Sequence, residues 1–149
     1  MTQIYFYSGS ADKLHTACRL CTKALEQGFK VMIYTLDAEI VEQLNRLLWT
    51  FSPTGFIPHC HTTDELADVT PVLLGCNIEQ VAHNDVLLNL HDELPPSFDR
   101  FQRLIEIAGT DEHDRMAARK RFHFYRKAGY EIHHHKLERK ISECYLYSG

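Results

Sequence analysis

Residues 30–36 (KVMIYTL) constrain the fold more than any other stretch. A nearly continuous apolar run of this length suits a strand covered on both faces, as in a parallel sheet with helices above and below. Residues 3–7 (QIYFY) form an aromatic and β-branched run closed by Ser8, Gly9 and Ser10, the pattern of a first strand entering a turn. Between the two runs, Leu14, Ala17, Cys18, Cys21, Ala24 and Leu25 recur at steps of three and four over residues 12–27. Gly28 stops the pattern, which predicts an amphipathic helix. Asp37 then caps a second helix whose apolar stripe is Ile40, Val41, Leu44, Leu47 and Leu48, reaching Trp49. The order β-α-β-α implies parallel strands joined by right-handed crossovers, so the predicted class is α/β with a mostly parallel sheet.

Residues 50–69 change character, with two prolines, a glycine and several aromatics, and are expected to be a loop. Trp49, Phe51, Phe56 and Ile57, with Pro58, put large apolar groups there, either plugging the protein's own core or meeting a partner. Residues 70–76 (TPVLLGC) and 85–89 (DVLLN) read as further strands. Residues 101–108 (FQRLIEIA) suit a strand, or a short helix running into one. A helix over residues 111–128 ends at Gly129, and residues 130–135 return as a final strand. The 149 residues fit one domain, expected over 1–135, with 136–149 as a C-terminal extension. No apolar run is long enough to span a membrane, and the N-terminus lacks the features of a signal peptide, so a cytoplasmic protein is expected. Five scattered cysteines fit reduced, mostly buried thiols.

Several chemistries find no support. The first turn, Ser8-Gly9-Ser10-Ala11-Asp12, has neither the dinucleotide fingerprint nor a P-loop. Cys18 and Cys21 have redox-pair spacing but fall on the apolar stripe of a helix, where packing is the simpler role. His59-Cys60-His61 and His133-His134-His135 resemble ligand clusters, and on a strand His133 and His135 would share a face. No further ligand with zinc spacing stands beside them, so no metal or cofactor is expected. No nucleophile–base motif is present, so no catalytic residue is assigned.

The positive signal is charge. Residues 1–110 hold seven basic and fourteen acidic side chains, whereas residues 111–149 hold nine and six. From Arg115 to Lys127 there are six Lys or Arg and no acid. At about 100° per residue, Arg115, Arg119, Phe122, His123 and Arg126 share one stripe, with Ala117, Phe124 and Ala128 expected on the core side together with Ala118 and Tyr125. A basic stripe edged by one aromatic suits an acidic peptide with an apolar end group. Two other classes are a small nucleic-acid-binding domain using the basic helix, and a metal-dependent α/β enzyme using His59 and His61. The chain's net charge of -4 and the lack of a stacking row beyond Phe122 weigh against direct nucleic-acid binding.

The motifs IYFY, LxxLLW at 44–49, GFIPH at 55–59, DVLLNL at 85–90, FDRF at 98–101 and ARxRFxxYRxAGY at 118–130 run in order along the chain. Together they resemble the chi subunit family of bacterial DNA polymerase III holoenzyme. The resemblance implies a non-catalytic, Rossmann-like domain without a nucleotide-binding loop. It also implies binding of the acidic C-terminal tail of single-stranded DNA-binding protein, and pairing with the psi subunit of the clamp loader. Contact with nucleic acid would then be indirect. Carried over by motif, the tail pocket falls at Ala108, Arg115, Arg119, Phe122 and His123, with Arg126 on the same stripe. The tail's terminal Phe would enter a notch at Ala108 and Phe122 while a guanidinium holds its carboxylate. The psi surface involves Trp49, Phe56 and Pro58, and in this family it can also receive a helicase-like repair protein. The family pattern has Tyr and Lys where this chain has Phe122 and His123, which implies weaker, more pH-dependent binding.

Overall fold

The computed structural model of the chain describes residues 1–50 and 57–137. Its elements, in chain order, are β1 (Gln3–Ser10), α1 (Lys13–Glu26), β2 (Val31–Tyr34), α2 (Ala38–Thr50), β3 (His59–His61), β4 (Val72–Gly75), β5 (Val86–Asn89), β6 (Arg103–Gly109), α3 (Glu112–Lys127) and β7 (Ile132–Lys136). Short 3-10 turns lie at Ala67–Val69, Ile78–Gln80 and Phe98–Arg100. Among the described residues the strands form one sheet in the order β3-β4-β2-β5-β6-β1-β7, and every neighbouring pair is parallel.

Burial explains the apolar runs. All four residues of β2, of β4 and of β5 are buried. Alternate side chains serve two layers, as the period of two in a strand requires. Val31, Ile33, Val72, Leu74, Val86 and Leu88 meet the apolar stripes of α1 and α2 on one face. On the other face Met32, Leu73, Leu87, Leu104, Ile4 and Phe6 pack with Ala118 and Tyr125 of α3. Each helix opens on an aspartate: Asp12 accepts from the His15 N–H at 3.1 Å, Asp37 from Glu39 at 2.9 Å, and Asp111 from Asp114 at 2.6 Å. These bonds satisfy donors that the first helical turn leaves free.

Two expectations are corrected and one is resolved. The turn expected at residues 8–10 is a kink inside β1, which continues to Ser10 through Gly9 at φ 79°, with a register irregularity between Tyr7 and Ser10. The strand expected over residues 101–108 is present as β6, preceded by the 3-10 turn at Phe98–Arg100. Residues 50–69, expected as a loop, include β3, a three-residue edge strand pairing His59 with Val72 and His61 with Leu74. Too short to show an apolar run, β3 is held by backbone pairing to β4.

The connections leave β1 and β6 in opposite directions: β1 passes by α1 to β2, and β6 by α3 to β7. At such a switch point an α/β sheet often binds a nucleotide. Here Lys13 Nζ meets Asp114 Oδ1 at 2.9 Å across the crevice, and Asp114 Oδ2 accepts the Gly109 N–H. A Cβ on Gly109 would lie 3.0 Å from that carboxylate oxygen. The crevice is closed by an ion pair that ties α1 to α3.

Candidate functional site

The site is built on α3, whose orientation is set from below. Glu106 of β6 is fully buried, and Arg121 of α3 reaches down to it with Nε–Oε1 at 3.0 Å. Glu106 also accepts from the Tyr125 hydroxyl at 2.5 Å and from Asn89 Nδ2 at 3.1 Å, while Arg121 Nη1 donates to the Asp92 carbonyl. A buried charge is tolerable only when paired and hydrogen-bonded, and this one is.

That anchor corrects two readings of the helix. The core face of α3 is Asp114, Ala118, Arg121 and Tyr125. Phe124, expected inside, is 44% exposed, and Ala128 is exposed too. Of the six basic residues counted along the helix, Arg121 is 2% exposed and contributes nothing to the surface. The helix turns so that its guanidinium meets Glu106, and the apolar pattern of the sequence yields to that pair.

The predicted stripe shares one side of α3, and its Phe122 edge lies toward β7. Arg115, Arg119, His123 and Arg126 are exposed. Phe122 is half-buried, its ring 5.3 Å edge-on from Phe6 of β1 and 5.8 Å from His134 of β7. Ala108, at the end of β6, lies at 5% exposure in the same apolar cluster as Phe122 and Ala118. Arg115 has only a loose contact with Glu112, 3.9 Å, and among the described residues Arg119, His123 and Arg126 make no ion pair. The flank thus combines uncompensated cations with a partly open aromatic edge.

His134 lies beside the Phe122 ring, a neighbour that sequence reasoning did not supply. Period-two alternation, which puts His133 and His135 together, also puts His134 opposite them, but what it faces depends on knowing that α3 lies beside β7. His133 and His135 stack on Tyr5 and Tyr7, centroids 4.7 and 4.9 Å apart, and His133 Nε2 lies 2.9 Å from Glu131.

The second predicted surface lies around α2. Trp49 is 56% exposed, with its ring edge-on to His59 at 5.8 Å, and Pro58 is exposed beside it. Phe56 and Phe51 lie outside the described residues. Ile57 is buried, so the apolar groups of this segment divide between core and surface. A shallow groove next to Trp49 is lined by Asp12, Leu14, Gln43, Arg46 and Leu47.

The other clusters have local explanations. His59 bonds to the Ile57 carbonyl and to Asn45, and His61 to Thr63. Among the described residues no three His, Cys, Asp or Glu side chains converge. Cys18 and Cys21 are buried, and burial pushes the Cys18 thiol up to about 12 and raises that of Cys21 as well. Cys60 is half-buried and Cys76 exposed, the Cys76 thiol donating to Asn77 Oδ1. No helix among the described residues is long and apolar enough to cross a membrane.

The family profile described as "DNA polymerase III chi subunit, HolC" matches residues 1–133. The DNA polymerase III subunit chi of Pseudomonas aeruginosa is 37% identical over 143 residues, covering 93% of this chain and 99% of the relative. The protein of the same name from Haemophilus influenzae is 25% identical over 117 residues, covering 78% and 81%. A probable DNA polymerase III subunit chi from Rickettsia prowazekii is 32% identical over 89 residues, covering 59% and 54%.

Proposed function

Because this chain belongs to the DNA polymerase III chi subunit family, we propose that it serves DNA replication as a non-catalytic adaptor. On this reading, α3 binds the acidic C-terminal tail of single-stranded DNA-binding protein, and the α2 surface joins the psi subunit of the clamp loader. The relatives are named as the chi subunit rather than as a catalytic subunit, which agrees with the lack of a nucleophile–base motif.

The observation that carries the tail reading is the α3 flank. Three guanidinium groups, Arg115, Arg119 and Arg126, line one side of a helix on an acidic chain, beside the half-open ring of Phe122. A guanidinium binds a terminal carboxylate through two parallel hydrogen bonds, which fixes direction as well as charge. On this reading the apolar end group of the tail packs against the half-open Phe122 ring, next to Ala108 in the same apolar cluster. The partner surface rests on Trp49 and Pro58, with Phe56 assigned by motif alone. An exposed tryptophan beside an apolar groove is the kind of residue that anchors a protein interface.

The test is titration of the chain with a peptide ending in Asp-Asp-Ile-Pro-Phe. Saturable binding at low salt is expected, and Arg119→Ala should cost about 1.5–3 kcal/mol, the range for a hydrogen bond to a charged group. Absence of binding, or binding indifferent to Arg119→Ala, would sink the tail reading.

A further inference from the structure

We propose that the α3 groove has a second wall, the edge strand β7, on which His134 and Lys136 receive the acidic residues of the bound peptide while α3 holds its end. The inference rests on the tail reading above.

Strand alternation identifies the wall. Ile132 packs into the cluster beneath α3, and His134 meets Phe122, so the side chains of β7 that face α3 are Ile132, His134 and, two residues on, Lys136. β7 pairs with β1 alone and ends the sheet, so among the described residues no further strand closes this side. The α3 flank and β7 therefore lie side by side and define an open trough, with the half-buried Phe122 between them and Phe6 buried beneath it.

The polar groups are arranged to take an anion. His134 Nε2 lies 2.8 Å from Ser8 Oγ, which fixes the ring and leaves Nδ1 as the nitrogen available to a ligand. Charged groups on the Phe122 side of α3 are Arg115, Arg119 and Arg126, and β7 adds His134 and Lys136; His123, opposite the buried face of the helix, points away from the sheet. The side chains of β1 on this face, Ile4, Phe6 and Ser8, are uncharged. Of the nearby carboxylates, Glu112 sits at the far end of α3 against Arg115, and Glu131 bonds His133, which faces the other side of the sheet. Both walls are thus cationic, which fits successive aspartates of an extended peptide better than a single anion. Histidine gains charge as pH falls through the physiological range while the carboxylates of the peptide stay ionised, so acidification strengthens the trough.

The experiment titrates the full chain, unsubstituted and as Lys136→Gln, His134→Gln and Arg119→Ala, with the fluorescently labelled peptide at about pH 8 and about pH 5.5, bracketing the histidine range. Lys136→Gln should weaken binding about two- to fivefold at both values, as an exposed ion pair does. His134→Gln should reduce the gain in affinity on acidification. Both positions are exposed, and thermal melts matching the unsubstituted chain separate lost contacts from lost folding. If Arg119→Ala abolishes binding while Lys136→Gln and His134→Gln bind as the unsubstituted chain does at both pH values, the second wall is refuted and the tail reading stands. If the unsubstituted chain does not bind, the tail reading falls and takes this inference with it.

Discussion

Glu106 accepts hydrogen bonds from three side chains and from no water-facing group, so its carboxyl is governed by what surrounds it. Burial pushes it up, opposed by the Arg121 guanidinium and by the bonds from Tyr125 and Asn89, and burial prevails. Burial and the same carboxylate push the Tyr125 hydroxyl up as well, so it remains a donor. Replacing Arg121 by Met removes one partner and leaves a carboxylate in apolar surroundings. The expected loss is about 3–5 kcal/mol of stability by urea denaturation, and a companion Glu106→Leu change should recover a large part of it. His83 offers a second test. Its ring packs edge-on against Phe101, and burial, helped by Lys30 and Arg100 and opposed by Asp85, pushes the imidazole down to about 4. The unfolded chain takes up that proton near the ordinary value of about 6.5, the folded protein only near the lowered one. Stability from His83 is therefore full above the first value and lost as pH falls between the two. His83→Asn, which keeps an acceptor for the Asp85 N–H, should flatten the fall in melting temperature across that window.

Among the elements, α3 is fastened at its start by Asp114. Burial works to raise that carboxyl, but the Gly109 N–H and Lys13 outweigh it and hold it below the usual carboxylate range. A lowered carboxylate stabilises the fold above its unfolded value of about 3.9 and loses that contribution as pH falls through the folded value. Asp114→Asn should thus lower stability at neutral pH and make it less steep at the acid end, as followed by calorimetry. β1 carries its own constraint: a Cβ on Gly9 would meet the Leu137 carbonyl oxygen at 2.6 Å, at φ 79°. Gly9→Ala should cost about 1–3 kcal/mol and loosen β7, seen as faster amide exchange in residues 132–136. These elements also show what the sequence discloses. The buried runs of β2, β4 and β5 are legible because full burial leaves no polar alternation to interpret. The face of α3 is not legible, because Arg121 finds its partner on another strand and no local pattern announces it. The exposed members of the stripe, Arg119, His123 and Arg126, are legible from spacing alone. Their neighbour His134 depends on the strand order, which the sequence does not encode in any short window.

At the scale of the molecule, the two candidate surfaces lie on opposite faces of the sheet and near its opposite ends. α2 packs toward β3 and β4, α3 over β6 beside β1 and β7. From β3 to β7 the sheet spans six strand spacings, about 29 Å at the usual interval. On the proposed reading, partners at the two surfaces would have room to bind together. Since Trp49 is the sole tryptophan, binding at the α2 surface should shift its emission to the blue. Trp49→Ala should abolish that partnership while leaving the affinity for the acidic peptide unchanged.

The position of β1 bears on how the chain is made. Among the described residues β1 pairs only with β6 and β7, which are synthesised about a hundred or more residues after it. Until those residues emerge, Ile4 and Phe6 have no sheet neighbour, and the β3-β4-β2-β5 half presents β5 as an open edge. Strands joined over such separations close late and slowly. The half-made chain thus exposes an edge able to pair with another copy during synthesis, and arrival of β6 both covers that edge and gives β1 its place.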